Sequence, residues 1–352
     1  MTKNTMLCLF FICAFSICTF AQERGAKDKD AIEFVPTPYA THNDITGTAV
    51  GVIPMILYRI SKKDTISPKS TSGLGAMYTT NKSFSMVAFS QLYFNQNKWR
   101  AKVFFGAGNI NFQTYLDDES HAPDFYDYTT EVLFFQFQGN RKIYKSIYGG
   151  LGFTHINQKA VFDDINRESE TVNNAIVLNL QSDSRDDVHY PKKGHYINMD
   201  YLSFPDWIEN TDESHKFKIY LNKYIAKRET KDVLAFRFAA KFGLGNINFN
   251  QQVVLGRLDL RGYSEGKFRG DGLFATQAEY RWNFKEKMGV VGFAGLGTIY
   301  GSPTESFDWK LYPSVGMGIR VNMFKFTPLN VGLDGAVGKE DWGIYFRIGE
   351  SF

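Results

Sequence analysis

The side chains best suited to a specific electrostatic contact lie in one charged, glycine-rich stretch, residues 256–271. Arg261 lies near its centre, and a guanidinium offers several planar donors that fit a carboxylate inside a protein. Gly262, Gly266 and Gly270 allow backbone conformations that other residues avoid. Loops of this length are usually functional or disordered. We therefore predict a loop that folds back into a barrel and is held there by Arg261.

Catalytic chemistry has little support elsewhere in the chain. Ser184, Asp186 and His189 lie close together in sequence, but they belong to a polar turn. The histidines lack metal-ligand spacing; they are His42, His121, His155, His189, His195 and His215. All cysteines lie in the first 18 residues, so the exported chain has no thiol chemistry. The sequence predicts neither an enzyme, nor a metal site, nor a cofactor.

The elements that must position Arg261 are strands. Residues 234–242 read LAFRFAAKF, and similar alternation of apolar and polar residues recurs to the end of the chain. A soluble sandwich would give the same pattern with its apolar face inward. The number and regularity of the strands favour an all-β transmembrane barrel. About 15 strands after residue 46, with a weak strand at 31–39, indicate roughly 16 antiparallel strands, because such barrels have an even number.

Connection lengths also alternate along the chain. Short connections are predicted at one end of the barrel and long ones at the other, as in outer-membrane barrels. The predicted long connections include residues 117–127, 158–170, 205–213 and 246–272. The stretch around Arg261 belongs to the last of these, on the predicted outer side.

The alternation also identifies carboxylates that could meet Arg261 in the lumen. In residues 273–284 the apolar set faces outward, which places Glu279 on the lumen face. In residues 331–337 the same reasoning places Asp334 on the lumen face. Asp334 and Glu279 are therefore the predicted partners of Arg261, and the pattern does not choose between them.

Composition and the amino terminus set the location. The net charge is only +3 over 352 residues, which gives no indication of a nucleic-acid partner. Residues 1–21 are typical of a secretory signal peptide, because Lys3 precedes an apolar run too short to span a membrane. Residues 22–30 are predicted to be a short flexible segment, and residues 31–352 the barrel. We expect the bacterial outer membrane as the location and its lipids as the surroundings.

Residues Leu260, Arg261, Gly262 and Tyr263 resemble the (V/L)RG(F/Y) motif of the outer-membrane assembly-factor superfamily. That superfamily includes the BamA and TamA barrels, the two-partner-secretion transporters and the bacterial surface antigen barrel domain. In those proteins the motif tips the sixth extracellular loop, which plugs the lumen. A family-type turn before a strand is matched by Asp183, Arg185, Asp186, Pro191 and Gly194. The family's carboxy-terminal assembly signal is matched by Phe346, Ile348 and Phe352, which the alternation places on the lipid-facing side.

Two features depart from the best-known members. The family's thirteenth strand often carries a carboxylate where this chain has Gly295, so Asp334 or Glu279 must take its place. The interval from the signal peptide to residue 31 cannot hold a polypeptide-transport-associated (POTRA) repeat. The resemblance therefore implies a small member without these periplasmic repeats.

The resemblance implies a role in assembly, insertion or translocation of outer-membrane or surface components. The mechanism would be a weak seam between the first and last strands that opens and templates a client strand. Pro36 and Pro38 would weaken the predicted first strand. Periplasmic or outer-membrane proteins would be the partners. The alternative is a barrel without insertase activity that serves as a structural subunit or docking platform; a passive pore is disfavoured because the loop would occlude it.

Overall fold

The computed structural model describes residues 32–43, 47–118, 121–162, 165–210, 212–247, 249–265, 267–322 and 327–352. The predicted signal peptide and flexible segment lie outside these residues. Short 3-10 turns occupy Asp206–Ile208, Arg228–Thr230, Phe249–Gln251 and Glu305–Phe307. In the described part of the chain, no helix is long and apolar enough to cross a membrane.

Strands make up the rest of the regular structure. The first nine are β1 Glu33–Asn43, β2 Gly47–Tyr58, β3 Ser70–Thr79, β4 Phe84–Phe94, β5 Trp99–Asp118, β6 His121–Tyr144, β7 Ile147–Phe162, β8 Arg167–Asp183 and β9 Gly194–Phe204. The others are β10 Ser214–Lys227, β11 Asp232–Gly245, β12 Val253–Leu255, β13 Phe268–Gly270, β14 Gly272–Lys285, β15 Met288–Tyr300, β16 Tyr312–Asn322, β17 Asn330–Gly338 and β18 Asp341–Ile348.

Sixteen of these described strands close into an antiparallel barrel, in the order β1-β18-β17-β16-β15-β14-β11-β10-β9-β8-β7-β6-β5-β4-β3-β2. β12 and β13 pair only with each other, within the connection from β11 to β14. The prediction of an all-β barrel of about 16 strands is confirmed. Two predicted long connections were wrong, because β5 and β6 continue to Asp118 and from His121, and β7 and β8 reach Phe162 and Arg167.

Side-chain exposure shows which face of each strand points into the barrel. On β14, Tyr280 and Trp282 are exposed, whereas Gln277, Glu279 and Arg281 are buried. Exposed large hydrophobic side chains on the outside and buried polar ones inside are what a membrane barrel requires. We call the end that carries residue 33 and residue 352 the terminal end, and the opposite end the loop end.

The closure between the first and last strands is much shorter than the neighbouring pairings. β1 pairs with β2 along all of Glu33–Asn43. It pairs with β18 at three residues near the loop end, where Thr41, His42 and Asn43 face Tyr345, Ile344 and Gly343. In the described structure, residues 33–40 pair with β2 but not with β18. We call this closure the seam.

Candidate functional site

The charged glycine-rich stretch forms the tip of the connection from β11 to β14. We call residues 256–265 the inner loop; they follow β12 and precede β13. A tight turn starts the loop, because the backbone N–H groups of Asp259 and Leu260 both donate to the Gly256 carbonyl. Leu260, Arg261 and Tyr263 are fully buried. These side chains contact lumen-facing residues of β14 to β18, as the following contacts show.

Arg261 makes a two-sided contact with carboxylates on two different strands. Its Nη1 donates to Asp334 Oδ2 on β17 at 3.0 Å, and its Nε donates to Gln277 Oε1 on β14 at 3.2 Å. Nη2 lies 2.7 Å from Glu279 Oε2, an ion pair whose angle does not suit a hydrogen bond. The guanidinium carbon also lies 3.4 Å from the centre of the Phe293 ring. Both carboxylates suggested by the sequence therefore contact Arg261.

The two carboxylates belong to a larger charge cluster in the lumen. Besides Arg261, Asp334 pairs with Arg320 and with Arg347, the latter at 3.1 Å. Glu279 pairs with Arg281 at 2.7 Å. Among the described residues, the cluster comprises Arg261, Arg281, Arg320, Arg347, Glu279, Asp334 and Glu350. Each carboxylate of the cluster contacts at least two of the arginines, so none depends on a single one.

Two glycines make room for the inner loop. Gly262 has a φ of 97°, which favours glycine, and a Cβ there would lie 2.8 Å from the Val337 carbonyl carbon. A Cβ on Gly295 would lie 2.6 Å from Leu260 Cδ1. A larger residue at position 295 would therefore displace Leu260 of the inner loop.

The inner loop also binds the last strand. The Gly262 N–H donates to the Tyr345 hydroxyl at 3.1 Å, and the Ser264 N–H donates to Asp341 Oδ2 at 2.7 Å. The Tyr263 hydroxyl donates to the Pro313 carbonyl at 2.6 Å. Asp341 and Tyr345 lie on β18, so the loop and one side of the seam are directly connected.

A family model described as the Omp85 superfamily domain matches residues 73–352. The chain belongs to the Omp85 superfamily. The family resemblance inferred from the motif around Arg261 is thereby confirmed, and the fold implies the bacterial outer membrane. A search of curated protein sequences found no match.

Solved structures of Omp85 barrels share this architecture. BamA from Haemophilus ducreyi lacking POTRA domains 1–3 has a TM-score of 0.59 and 11% identity, with coverage of 90% of this chain and 70% of that one. CdiB from Acinetobacter baumannii has a TM-score of 0.59 and 13% identity over 92% and 60%. CdiB from Escherichia coli has a TM-score of 0.60 and 8% identity over 94% and 68%. At these identities the similarity shows the fold alone.

The family-type turn lies at the terminal end of this Omp85 barrel, between β8 and β9. Asp183 Oδ1 accepts from Arg185 Nε at 2.8 Å, and Asp183 Oδ2 accepts from Arg100 Nη1 of β5 at 2.6 Å. Burial would lower the pKa of the Arg185 guanidinium, but the Asp183 carboxylate raises it above its usual range. Asp186 Oδ1 accepts from the backbone N–H of Lys192 at 2.9 Å, which closes the turn.

The two remaining predicted residues of the turn are Gly194 and Pro191. Gly194 has a φ of 98°, and a Cβ there would lie 2.1 Å from the Ser184 carbonyl oxygen, so a larger residue does not fit. The Pro191 carbonyl accepts from Arg281 Nη1 at 3.3 Å. The turn therefore contacts the same charge cluster as the inner loop, from the opposite end of the barrel.

The end of the chain departs from the predicted alternation. Trp342 and Ile344 are exposed on the outer face as expected, but Ile348 packs against an inner apolar cluster. Gly349 has a φ of 79°, and the chain turns into the barrel beyond it. The Phe352 carbonyl accepts from Arg281 Nη2 at 2.8 Å, and its ring packs near Tyr190 and Tyr224. The prediction that Ile348 and Phe352 face lipid was wrong; their role as an assembly signal stays a prediction.

Several residues of the site could not be singled out from the sequence. Arg320, Arg347 and Glu350 complete the charge cluster. The Tyr345 hydroxyl accepts a hydrogen bond from the Gly262 N–H. Alternation alone could have placed Arg320 and Tyr345 on the lumen face, but it does not show which strands the inner loop contacts. In the described residues, no group of three or more metal-ligating side chains is positioned to hold an ion.

Proposed function

We propose that this Omp85 barrel assists the assembly, insertion or translocation of outer-membrane or surface components by opening its seam. The short pairing of β1 with β18 carries the proposal, because residues 33–40 leave one edge of β1 without a strand partner there. An unpaired strand edge is a template for another strand. The terminal end would face the periplasm, and protein partners there would deliver the client. This function needs no enzymatic chemistry.

Prolines in β1 support the same reading. Pro36 faces Pro54 of β2, and neither residue has an N–H to donate across that pair. Pro38 lies two residues further along the same strand. The first strand is therefore held less firmly than a strand with a complete hydrogen-bond ladder, which lowers the cost of exchanging its partners.

A disulfide lock across the seam tests this function. His42→Cys and Ile344→Cys place two cysteines opposite each other at the seam, in a chain whose own cysteines precede residue 19. With the variant replacing the native copy in its bacterium, oxidation should deplete a subset of outer-membrane or surface proteins, and reductant should restore them. The matched control is Ala88→Cys with Phe105→Cys, which locks the fully paired β4 and β5 and should change nothing.

The second candidate is a barrel that serves as a structural subunit or docking platform. The bonds from Gly262 and Ser264 to Tyr345 and Asp341 favour it, because they hold β18 to the inner loop. If the oxidised seam leaves the outer-membrane composition unchanged while the protein still co-purifies with stoichiometric partners, this second function replaces the first.

A further inference from the structure

A cavity inside the barrel lies beside the open part of the seam. Its volume is about 410 Å³, which is within the range of small-molecule sites, roughly 300–1,000 Å³. Tyr39 of β1 and Phe346, Arg347 and Ile348 of β18 all line it. In the described structure, β1 and β18 do not pair between Thr41 and the terminal end. The cavity therefore adjoins a part of the barrel wall where, among the described residues, no backbone hydrogen bonds join the two strands.

One wall of the cavity is apolar. Ile53 and Met55 of β2, Phe89 of β4 and Leu329 line it. Met55 and Leu329 pack in one buried cluster with partly buried Ile53, Phe89 and Ile348. Lumen-facing residues of such barrels normally meet water, so an apolar surface that lines an open cavity is unusual. This wall is suited to a hydrocarbon chain.

The other wall is cationic. Arg347 contacts Asp334 through Nε at 3.1 Å, but Asp334 also serves Arg261 and Arg320, so one carboxylate is shared by three guanidiniums. Arg257 donates to the Tyr39 hydroxyl at 2.8 Å and lies 3.5 Å from Glu265. Among the described residues, Arg347 thus has only a shared carboxylate, and an anionic group in the cavity could accept hydrogen bonds from it.

A third polar group, His189, faces the same space with one ring nitrogen unpaired among the described residues. His189, from the turn between β8 and β9, lines the cavity, and its Nε2 has no hydrogen-bond partner in the described structure. Burial lowers the pKa of His189, which favours the neutral ring; because that ring also bonds the Lys69 backbone, Nε2 is left to accept a hydrogen bond from a hydroxyl. Buried polar atoms normally have a hydrogen-bond partner, so this nitrogen is available to a group that enters the cavity.

We propose that this cavity binds one anionic glycerophospholipid, with its phosphate at Arg347, a headgroup hydroxyl at His189 and an acyl chain along Ile53, Met55 and Phe89. The lipid would enter from the membrane between the unpaired parts of β1 and β18. Membrane phospholipid is the occupant favoured here because the cavity combines an apolar wall, a cationic wall and an adjacent gap towards the bilayer. This inference concerns a ligand of the barrel itself and does not depend on client insertion.

Photo-crosslinking with defined lipids tests the proposal. The purified protein is reconstituted in phosphatidylcholine vesicles that contain either phosphatidylglycerol or phosphatidylcholine with the same diazirine-bearing acyl chain, and adducts are mapped by mass spectrometry. Both probes carry a phosphate, but the choline cation of phosphatidylcholine would lie beside Arg257 and Arg347. Adducts on Met55, Phe89 or Leu329 should therefore be about tenfold more abundant with the anionic probe. Adducts on outward-facing Met317, which is exposed, should be equal for both probes.

Matched variants separate the headgroup contact from general charge. Arg347→Gln should remove the preference for the anionic probe, whereas Arg141→Gln, on the exposed outer face near Trp99, should retain it. If Arg347→Gln fails to fold, Ile53→Trp is used instead, because the larger side chain fills the cavity beside the apolar wall. It should abolish adducts on Met55, Phe89 and Leu329 while adducts on Met317 persist. Adducts confined to outward-facing residues, or inner labelling equal for both probes, would overturn the proposal. So would displacement of the anionic probe by free glycerol 3-phosphate, because that result would indicate an anion site without a lipid.

Discussion

Each of the two carboxylates that contact Arg261 also pairs with at least one other arginine. Asp334 keeps Arg320 and Arg347 when Arg261 is removed, and Glu279 keeps Arg281. Removing one partner of a buried ion pair usually costs about 3–5 kcal/mol because the other charge is left uncompensated. Here neither carboxylate is orphaned, so the loss is confined to the anchoring of the inner loop.

We therefore expect Arg261→Ala to loosen the loop more than it destabilises the barrel. Limited proteolysis of the purified barrel in detergent should cut within residues 256–265, where the native protein resists. The temperature at which the barrel loses its fast gel mobility should fall only slightly. Arg261→Lys should protect the loop partly, because an ammonium cannot contact Asp334 and Glu279 together as the planar guanidinium does. Unchanged protease resistance of Arg261→Ala would show that this contact does not hold the loop.

Asp334→Asn should be the more damaging change. It leaves Arg261, Arg320 and Arg347 with one negative charge fewer, and we expect a loss of about 3–5 kcal/mol in unfolding free energy, measured by urea titration in detergent. Adding Arg261→Ala to Asp334→Asn should recover part of that loss, since it removes one of the uncompensated cations. Such non-additivity is expected only for residues in one network; a double variant as unstable as the sum of the two singles would contradict it.

At the scale of elements, the turns of the terminal end are bound to one another by buried polar contacts. Asp64, between β2 and β3, accepts at Oδ2 from Ser67 Oγ at 2.6 Å and from the Gln96 N–H of the next turn at 2.8 Å. Ser67 Oγ in turn accepts from the Asn97 N–H at 2.7 Å. One carboxylate therefore joins two turns that are adjacent in space.

The stability contributed by Asp64 should depend on pH. Burial would raise the pKa of this carboxyl, but the hydrogen bonds from Ser67, Gln96 and Ile66 lower it to about 2 from an ordinary 3.8. The ionised form is therefore the one that favours folding: the contribution is complete above pH 3.8, falls as the pH drops and is lost near pH 2. Asp64→Asn should cost about 2 kcal/mol at pH 7.

The measurement is a comparison of urea unfolding at pH 7 and at acid pH in an acid-stable detergent. The difference between the native protein and Asp64→Asn should shrink as the pH approaches 2. Glu286→Gln, an exposed charge in the turn between β14 and β15, is the control and should show no difference at either pH. A pH-independent effect of Asp64→Asn would mean that lost packing, and not the ionised carboxylate, is responsible.

The elements could be predicted from the sequence where their two faces meet different surroundings. Residues 234–242 alternate because one face meets lipid and the other the lumen, and β11 lies there. Alternation does not mark where a strand stops, so residues 117–127 were predicted as a loop although β5 and β6 extend into them. For the same reason the inward turn after Ile348 was missed. It depends on Gly349 and on Glu350 reaching Arg320, a contact between residues far apart in sequence.

The candidate site was partly predictable for a related reason. Arg261 and its two carboxylates could be found because a charged side chain on a lumen face requires a partner of opposite charge. Arg320 and Arg347 were not found, because nothing in the sequence shows that Asp334 serves three guanidiniums. The order of strands in the barrel decides which charged residues meet, because it brings β14, β16, β17 and β18 close together on one side of the lumen.

For the molecule as a whole, the connection from β11 to β14 reaches opposite walls of the barrel. Arg269 donates to the Tyr128 hydroxyl of β6 at 2.7 Å, and Gln251 donates to Asn173 of β8 at 2.6 Å. At the other wall the Gly262 N–H reaches Tyr345 of β18. The described part of this connection is therefore bonded to β6, β8 and β18, and we expect it to restrict passage through the lumen.

This arrangement predicts a low conductance. The native protein in a planar bilayer should show only small, infrequent current steps, because a segment bonded to β6, β8 and β18 would obstruct the lumen. Replacing residues 257–264 by a short Gly-Ser linker removes the bonds to β14, β17 and β18 and should produce large, steady currents. Arg141→Gln, which changes one charge on the outer face, should conduct like the native protein. Large steady currents through the native barrel would contradict the expectation and would favour a passive pore, because free diffusion of ions requires an open lumen.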